Sequence, residues 1–174
     1  MKILTCFFSL ALFSLTAQET TNFGLEEKSM RHALGLHAGT STGQGFSYRY
    51  FPNKWGVQVT GIPIFNGNNG FYTSSAVSIL YKIKEHKKLD LFTYLGNHLV
   101  FERYQSYYWP GPWGGEEPTF VTDRTYNIGL GAGVNIHYWE VLDLSIQAGY
   151  GLTSRNNAPL YTVFSSEIGV YYKF

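Results

Sequence analysis

Between Tyr126 and Tyr138 the chain alternates strictly, and no other feature restricts its fold as much. Tyr126, Ile128, Leu130, Ala132, Val134, Ile136 and Tyr138 fall on one face. Asn127, Gly129, Gly131, Gly133, Asn135 and His137 fall on the other. A period of two belongs to a β-strand, whose successive side chains point to opposite sides, and not to a helix. The same period recurs from Leu34 to the C-terminus. It predicts eight strands near 32–40, 45–51, 55–64, 71–84, 89–103, 125–139, 142–153 and 161–174. The intervening segments carry turn residues, among them Thr42-Gly43-Gln44, Pro52-Asn53-Lys54 and Arg155-Asn156-Asn157-Ala158-Pro159. Residues 89–103 have apolar side chains on both faces: Leu89, Leu91 and Leu95 on one, Phe92 and Tyr94 on the other. A bulge that shifts the register is expected there.

An antiparallel chain of eight strands can close as a soluble barrel or as a membrane barrel. The polarity of the two faces separates them. A soluble barrel hides its apolar face and gives water a charged one. Here charged residues are only 14% of the chain, against about 25% in an ordinary soluble domain. The polar alternates are Gly, Ser, Asn, Gln and Thr, which suit a narrow lumen. The apolar alternates suit lipid, giving the apolar-out, polar-in pattern of a spanning barrel. Aromatics reach 18%. Tyr48, Tyr50, Trp55, Tyr81, Tyr138, Trp139, Tyr172 and Phe174 sit near strand ends beside short turns, where membrane interfaces collect Tyr and Trp. The reading is all-β: an eight-stranded antiparallel up-and-down transmembrane β-barrel over residues 32–174. A sandwich core, or a secreted ligand-binding barrel, is the competing placement for these aromatics.

The N-terminus has the form of an export leader. Lys2 supplies a positive start, and Ile3–Leu15 is an apolar run of signal-peptide length. Cleavage after Ala17 makes residues 1–17 a signal peptide and residues 18–31 a periplasmic N-terminal segment. The run is shorter than the ~20 residues of a spanning helix. The single Cys, Cys6, lies in this leader, so no internal disulfide or thiolate zinc site can form. A net charge of +1 without a basic run gives no support to nucleic-acid binding.

By the leader, the eight alternating strands and the terminal Tyr171-Tyr172-Lys173-Phe174, residues 32–174 resemble the small outer-membrane β-barrels of Gram-negative bacteria. The likeness is to the OmpX/OmpA-type eight-stranded barrels, particularly Bacteroidetes versions. It implies a bacterial outer-membrane location reached by signal-peptide-directed export. It implies outer-membrane lipid and lipopolysaccharide as surroundings. It also implies a C-terminal assembly signal, read here as Ile168, Val170, Tyr172 and Phe174, for the barrel-assembly machinery.

Motifs for chemistry are sparse. Gly129-Leu130-Gly131-Ala132-Gly133 lies inside a strand, not between a strand and a helix, and lacks a dinucleotide loop's third-glycine spacing. No phosphate loop or His-Glu-x-x-His motif occurs, and no catalytic, cofactor-binding or metal-ligating residue is assigned. Some small barrels are lipid A deacylases or palmitoyltransferases. None of the five His is followed two positions later by Ser, as the deacylase pattern requires. The inward face should hold a polar network of His37, Arg49, His137, Asp143, Glu167 and Lys173, because an isolated charge in a narrow barrel is costly. His37 and Glu167 lie at similar heights on the first and last strands, which closure makes neighbours. Tyr107, Tyr108, Trp109 and Trp113, in a Pro- and Gly-rich segment within a predicted 104–124 loop, form a candidate site for a cell-surface ligand. The resulting expectation is a non-enzymatic envelope-structural or surface-interaction protein. A small pore or transporter, and a lipid A-modifying enzyme, are the alternatives.

Overall fold

A computed structural model describes residues 30–66, 70–106, 119–156 and 158–174. The alternating runs form β1 (His32–Ala38), β2 (Gln44–Tyr50), β3 (Trp55–Asn66), β4 (Gly70–His86), β5 (Leu89–Ser106), β6 (Thr119–Trp139), β7 (Leu142–Arg155) and β8 (Tyr161–Lys173). Each pairs antiparallel with the next, and β1 pairs with β8, so the sheet closes. Closure removes every full-length edge, which a sheet inside hydrocarbon requires.

The two faces divide as the polarity argument demands. Leu34, Leu36, Val59, Leu95, Ile146 and Ile168 are exposed on the outside, and Leu130 keeps 66% of its surface accessible. Inside, Arg49, Gln58, Ser74, Asn135, Gln147 and Glu167 are buried. Burial is therefore inverted relative to a water-soluble domain, and the surrounding solvent is lipid. The chain is a transmembrane β-barrel. At the short-turn end, His32 stacks on Tyr50 at 4.8 Å between centroids, Trp55 meets Tyr81 at 4.7 Å, and Tyr138 meets Trp139 at 5.0 Å. A second aromatic group, Phe65, Phe71 and Phe101, lies toward the other end. The turns at Lys87-Lys88 and Glu140-Val141 are tight.

Two expectations need correction. The register shift lies in β4, between Lys82 and Lys84, and not in β5. β5 alternates without a break. Phe92 and Tyr94 point inward and are buried because the lumen has room for them opposite Gly131 and Gly133, where an added Cβ would strike their rings. The segment 104–124 is also not all loop. β5 continues to Ser106 and β6 begins at Thr119, with Ser106 paired to Thr119. Thr119-Phe120-Val121-Thr122 favours strand by its β-branched and aromatic content. The ladder simply continues beyond the apolar band.

Leu130→Arg, inside the band, should destabilise the barrel by about 2–4 kcal/mol, and Thr122→Arg, beyond it, by no more than ~1 kcal/mol. Denaturant unfolding in phospholipid vesicles measures both. Equal effects would contradict the assigned band.

Candidate functional site

The polar interior is the part of the molecule with concentrated chemistry. Its upper half is built by the β1–β2 tip, residues 39–43. This tip does not project outward. It turns into the cylinder, where Ser41 and Thr42 are buried. Two glycines permit the bend: Gly43 at φ 84° and Gly45 at φ 122°, values that L side chains rarely adopt. The far wall makes room by lacking side chains. A Cβ on Gly96 would lie 2.5 Å from the Ser41 carbonyl oxygen, and one on Gly129 would lie 2.5 Å from the Ser41 Cβ.

Glu167 anchors the tip. Its carboxylate accepts the Ser41 backbone N–H at 3.0 Å and the Ser41 and Ser165 hydroxyls at 2.6 Å each. It also accepts the Thr42 hydroxyl. His37 Nε2 lies 3.5 Å from Glu167 Oε2 and 2.6 Å from Thr42 Oγ1. On the opposite side His98 Nδ1 meets the Thr40 carbonyl at 2.7 Å, and its Nε2 faces Ser74 Oγ at 2.9 Å. The Gln44 backbone N–H donates to the same Ser74 oxygen at 3.2 Å. The tip is thus clamped from β4, β5 and β8.

Below it lies a layer centred on Arg49. The guanidinium donates to Gln58 Oε1 at 2.7 Å, Asn135 Oδ1 at 3.0 Å and Ser145 Oγ at 3.1 Å. It sits 3.8 Å from the centroid of the Tyr171 ring, a cation–π geometry. Neutral acceptors and a ring, not a touching carboxylate, satisfy this buried cation. The Tyr171 hydroxyl donates to Ser47 at 3.1 Å and ties this layer to the next.

The short-turn mouth carries a charge cluster. Asp143 meets His137 Nδ1 at 2.7 Å and Lys173 Nζ at 2.9 Å. Asp90 meets Lys82 at 3.2 Å and His137 Nε2 at 3.3 Å. Lys82 also bridges to Glu85 at 3.0 Å. At the extended end, Asp123 accepts from Arg155 and, at 2.7 Å, from the Asn156 amide. These two partners hold its carboxyl below the ordinary value of 3.8.

The six residues assigned to the lumen all face inward, but they form three groups. His37 and Glu167 meet at the tip, Arg49 sits alone in its layer, and His137, Asp143 and Lys173 meet at the mouth. Sequence reasoning missed Ser41, Thr42, His98, Gln58, Asp90 and Lys82. The run Gly39-Thr40-Ser41-Thr42-Gly43 reads as an ordinary turn, and only the bare wall at Gly96 and Gly129 shows that it can enter. Ile168, Val170, Tyr172 and Phe174 alternate outward and are exposed. Tyr107, Tyr108, Trp109 and Trp113 lie outside the described residues. Among the described residues no group of three or more His, Cys, Asp or Glu side chains could hold a metal ion.

Glu167→Ala should cost about 3–5 kcal/mol, because a buried cluster of donors loses its acceptor. Glu167→Gln, which keeps the shape, should cost less. Thermal unfolding in detergent, followed by far-UV circular dichroism, reports the order, and equal melting of all three proteins would contradict the anchor.

No protein-family model and no curated protein matches the chain. Solved structures similar to it include the N-terminal β-barrel domain of Pseudomonas aeruginosa OprF, at 15% identity and TM-score 0.45, covering 82% of this chain and 96% of that one. A major outer membrane protein of Thermus thermophilus is similar at 13% identity and TM-score 0.48, covering 82% and 99%. Neisserial surface protein A is similar at 22% identity and TM-score 0.39, covering 82% and 94%. The eight-strand closure itself rests on the ladders described above.

Proposed function

We propose that this chain is a non-enzymatic, non-conducting outer-membrane barrel whose role lies in the envelope and at the cell surface. The observation that carries this reading is the filled interior. The inserted tip, the enclosed Arg49 layer and the ion-paired mouth occupy successive heights of one narrow cylinder. In this reading residues 1–17 are the export leader and residues 18–31 a periplasmic segment. The short turns then face the periplasm, and Ile168, Val170, Tyr172 and Phe174 present the signal to the barrel-assembly machinery.

The surface role is carried by the β5–β6 hairpin. These strands, of 18 and 21 residues, exceed the ~10 needed to cross the membrane. Their outer parts present Arg103 and Arg124 on the outward face, held 4.7 Å over the Phe120 ring and 5.6 Å over the Phe101 ring. Cations over aromatic rings just beyond an apolar band suit the phosphates of lipopolysaccharide. Tyr107, Tyr108, Trp109 and Trp113 then serve as the contact for a cell-surface ligand.

One observation favours an enzyme as the second reading. The Ser74–His98 pair has the spacing of a nucleophile and its base. Against catalysis, Ser74 is fully buried and already accepts the Gln44 N–H, while His98 Nδ1 is committed to the Thr40 carbonyl. The pair clamps the tip and has no open side for a substrate.

In planar bilayers the purified protein should give no stable current steps, and a fluorophosphonate probe should leave Ser74 unlabelled. Stable steps would establish the pore reading, and labelling that Ser74→Ala abolishes would establish the enzyme. Arg103→Ala with Arg124→Ala should weaken binding to lipopolysaccharide vesicles without changing the heat-dependent gel shift of the folded barrel. Deleting residues 107–118 should likewise leave that shift and remove cell-surface binding.

A further inference from the structure

The barrel wall is incomplete on one side. β1 and β2 have seven residues each, whereas β3 has 12 and β8 has 13. The β1–β8 ladder ends at Ala38–Ile168 and the β2–β3 ladder at Phe46–Gly61. Above these pairs, residues 161–167 of β8 and 62–66 of β3 flank a notch, with no strand between them among the described residues. Seven residues tilted at about 40° rise only ~18 Å, less than an apolar band of about 25 Å. The outward side chains agree, since Phe65 is 76% and Phe164 64% exposed above the hairpin tip. The notch therefore opens at the depth of lipid acyl chains.

The inner faces of both margins change character at this level. Up β3 the inward residues run Gln58, Thr60, then Ile62 and Ile64. Up β8 they run Glu167, Ser165, then Val163 and Tyr161. On both margins of the gap the polar lining gives way to Ile62, Ile64, Val163 and the Tyr161 ring, with the Gln44 amide donating to the Tyr72 hydroxyl beside Ile64. An added strand is disfavoured, because Pro63 lacks an N–H on one margin. At the foot of the notch a groove of about 370 Å³ runs on the outside around Gly61, lined by Leu34, Phe46, Val59 and Val77.

We propose that one ester- or amide-linked acyl chain of a surrounding outer-leaflet lipid enters this notch and lies against Ile62, Ile64, Tyr161 and Val163. Its polar linkage meets the main-chain edge groups at the margins, which hydrocarbon alone would leave without partners. The inference rests on the membrane embedding described above and adds a lateral lipid site to it.

The test uses the full barrel in bilayers of a phospholipid brominated on its acyl chain, with no free fatty acid present. Val163→Trp and Ile64→Trp place reporters inside the margins, and Leu152→Trp places one on the lipid face. The fluorescence of the parent protein, with its four native Trp, is subtracted. Folding is verified by the gel shift, and either inward variant suffices if the other fails to fold. Both inward reporters should lose as much fluorescence to bromine as the Leu152→Trp reporter, and should resist acrylamide in water. Quenching of Leu152→Trp alone, with the inward reporters open to acrylamide, overturns the lateral site but keeps the embedding. Loss of quenching at all three positions overturns the embedding itself. Quenching of the inward reporters only after brominated fatty acid is added overturns the assignment to a membrane lipid.

Discussion

Hydrocarbon offers no partner to an amide, and that single deficit organises this molecule. A helix solves it within one segment, whereas a sheet solves it only by closing on itself. The β1–β8 ladder from Ala33–Lys173 to Ala38–Ile168 makes that closure. Once the sheet is closed, every strand has one face toward lipid and one toward a narrow lumen. Leu, Ile, Val and aromatic side chains then belong outside, and polar side chains must find partners among themselves inside.

The lumen meets this demand in an economical way. Side chains too large for the bore are accepted where the facing wall is glycine: Phe92 and Tyr94 lie against Gly133 and Gly131. Among the described residues, each buried charged group of the lumen has a partner. Arg49 uses amide and hydroxyl oxygens and the face of Tyr171, Glu167 uses four donors around the tip, and the mouth acids use Lys and His. The tip itself replaces the side chains that a uniformly tall barrel would need at that height. Its entry and the short β1–β2 hairpin are two aspects of one feature. A hairpin that stops early leaves both a loop free to turn inward and a gap in the wall above it.

Much of this was legible from alternation, and the failures have specific causes. All eight strands were found because lipid on one side and a polar lumen on the other give the strongest contrast a period of two can carry. That contrast fades beyond the apolar band. Thr122 and Arg124 face outward there while Val121 and Asp123 face inward, so the strands continue after the hydrophobic pattern has stopped. This is why residues 119–124 read as loop. The β4 shift between Lys82 and Lys84 escaped notice because an extra residue near a strand end changes few side-chain positions. The expected grouping of six lumen residues was too simple, since height along the axis separates residues that share a face. His37 and Glu167 could be placed together from closure alone. Asp90 and Lys82 could not be added to the mouth without the register of β4 on β5.

The order of the residues alone determined the strand count, the antiparallel order and the greasy exterior, because each depends only on local spacing and on the polarity of alternate positions. The three-dimensional arrangement decided what fills the bore and where the wall stops. Both depend on side chains far apart in the chain, such as Ser41 beside Gly96, Gly129 and Glu167, or Ile62 across a gap from Val163. Neither is recorded in the spacing within any one strand.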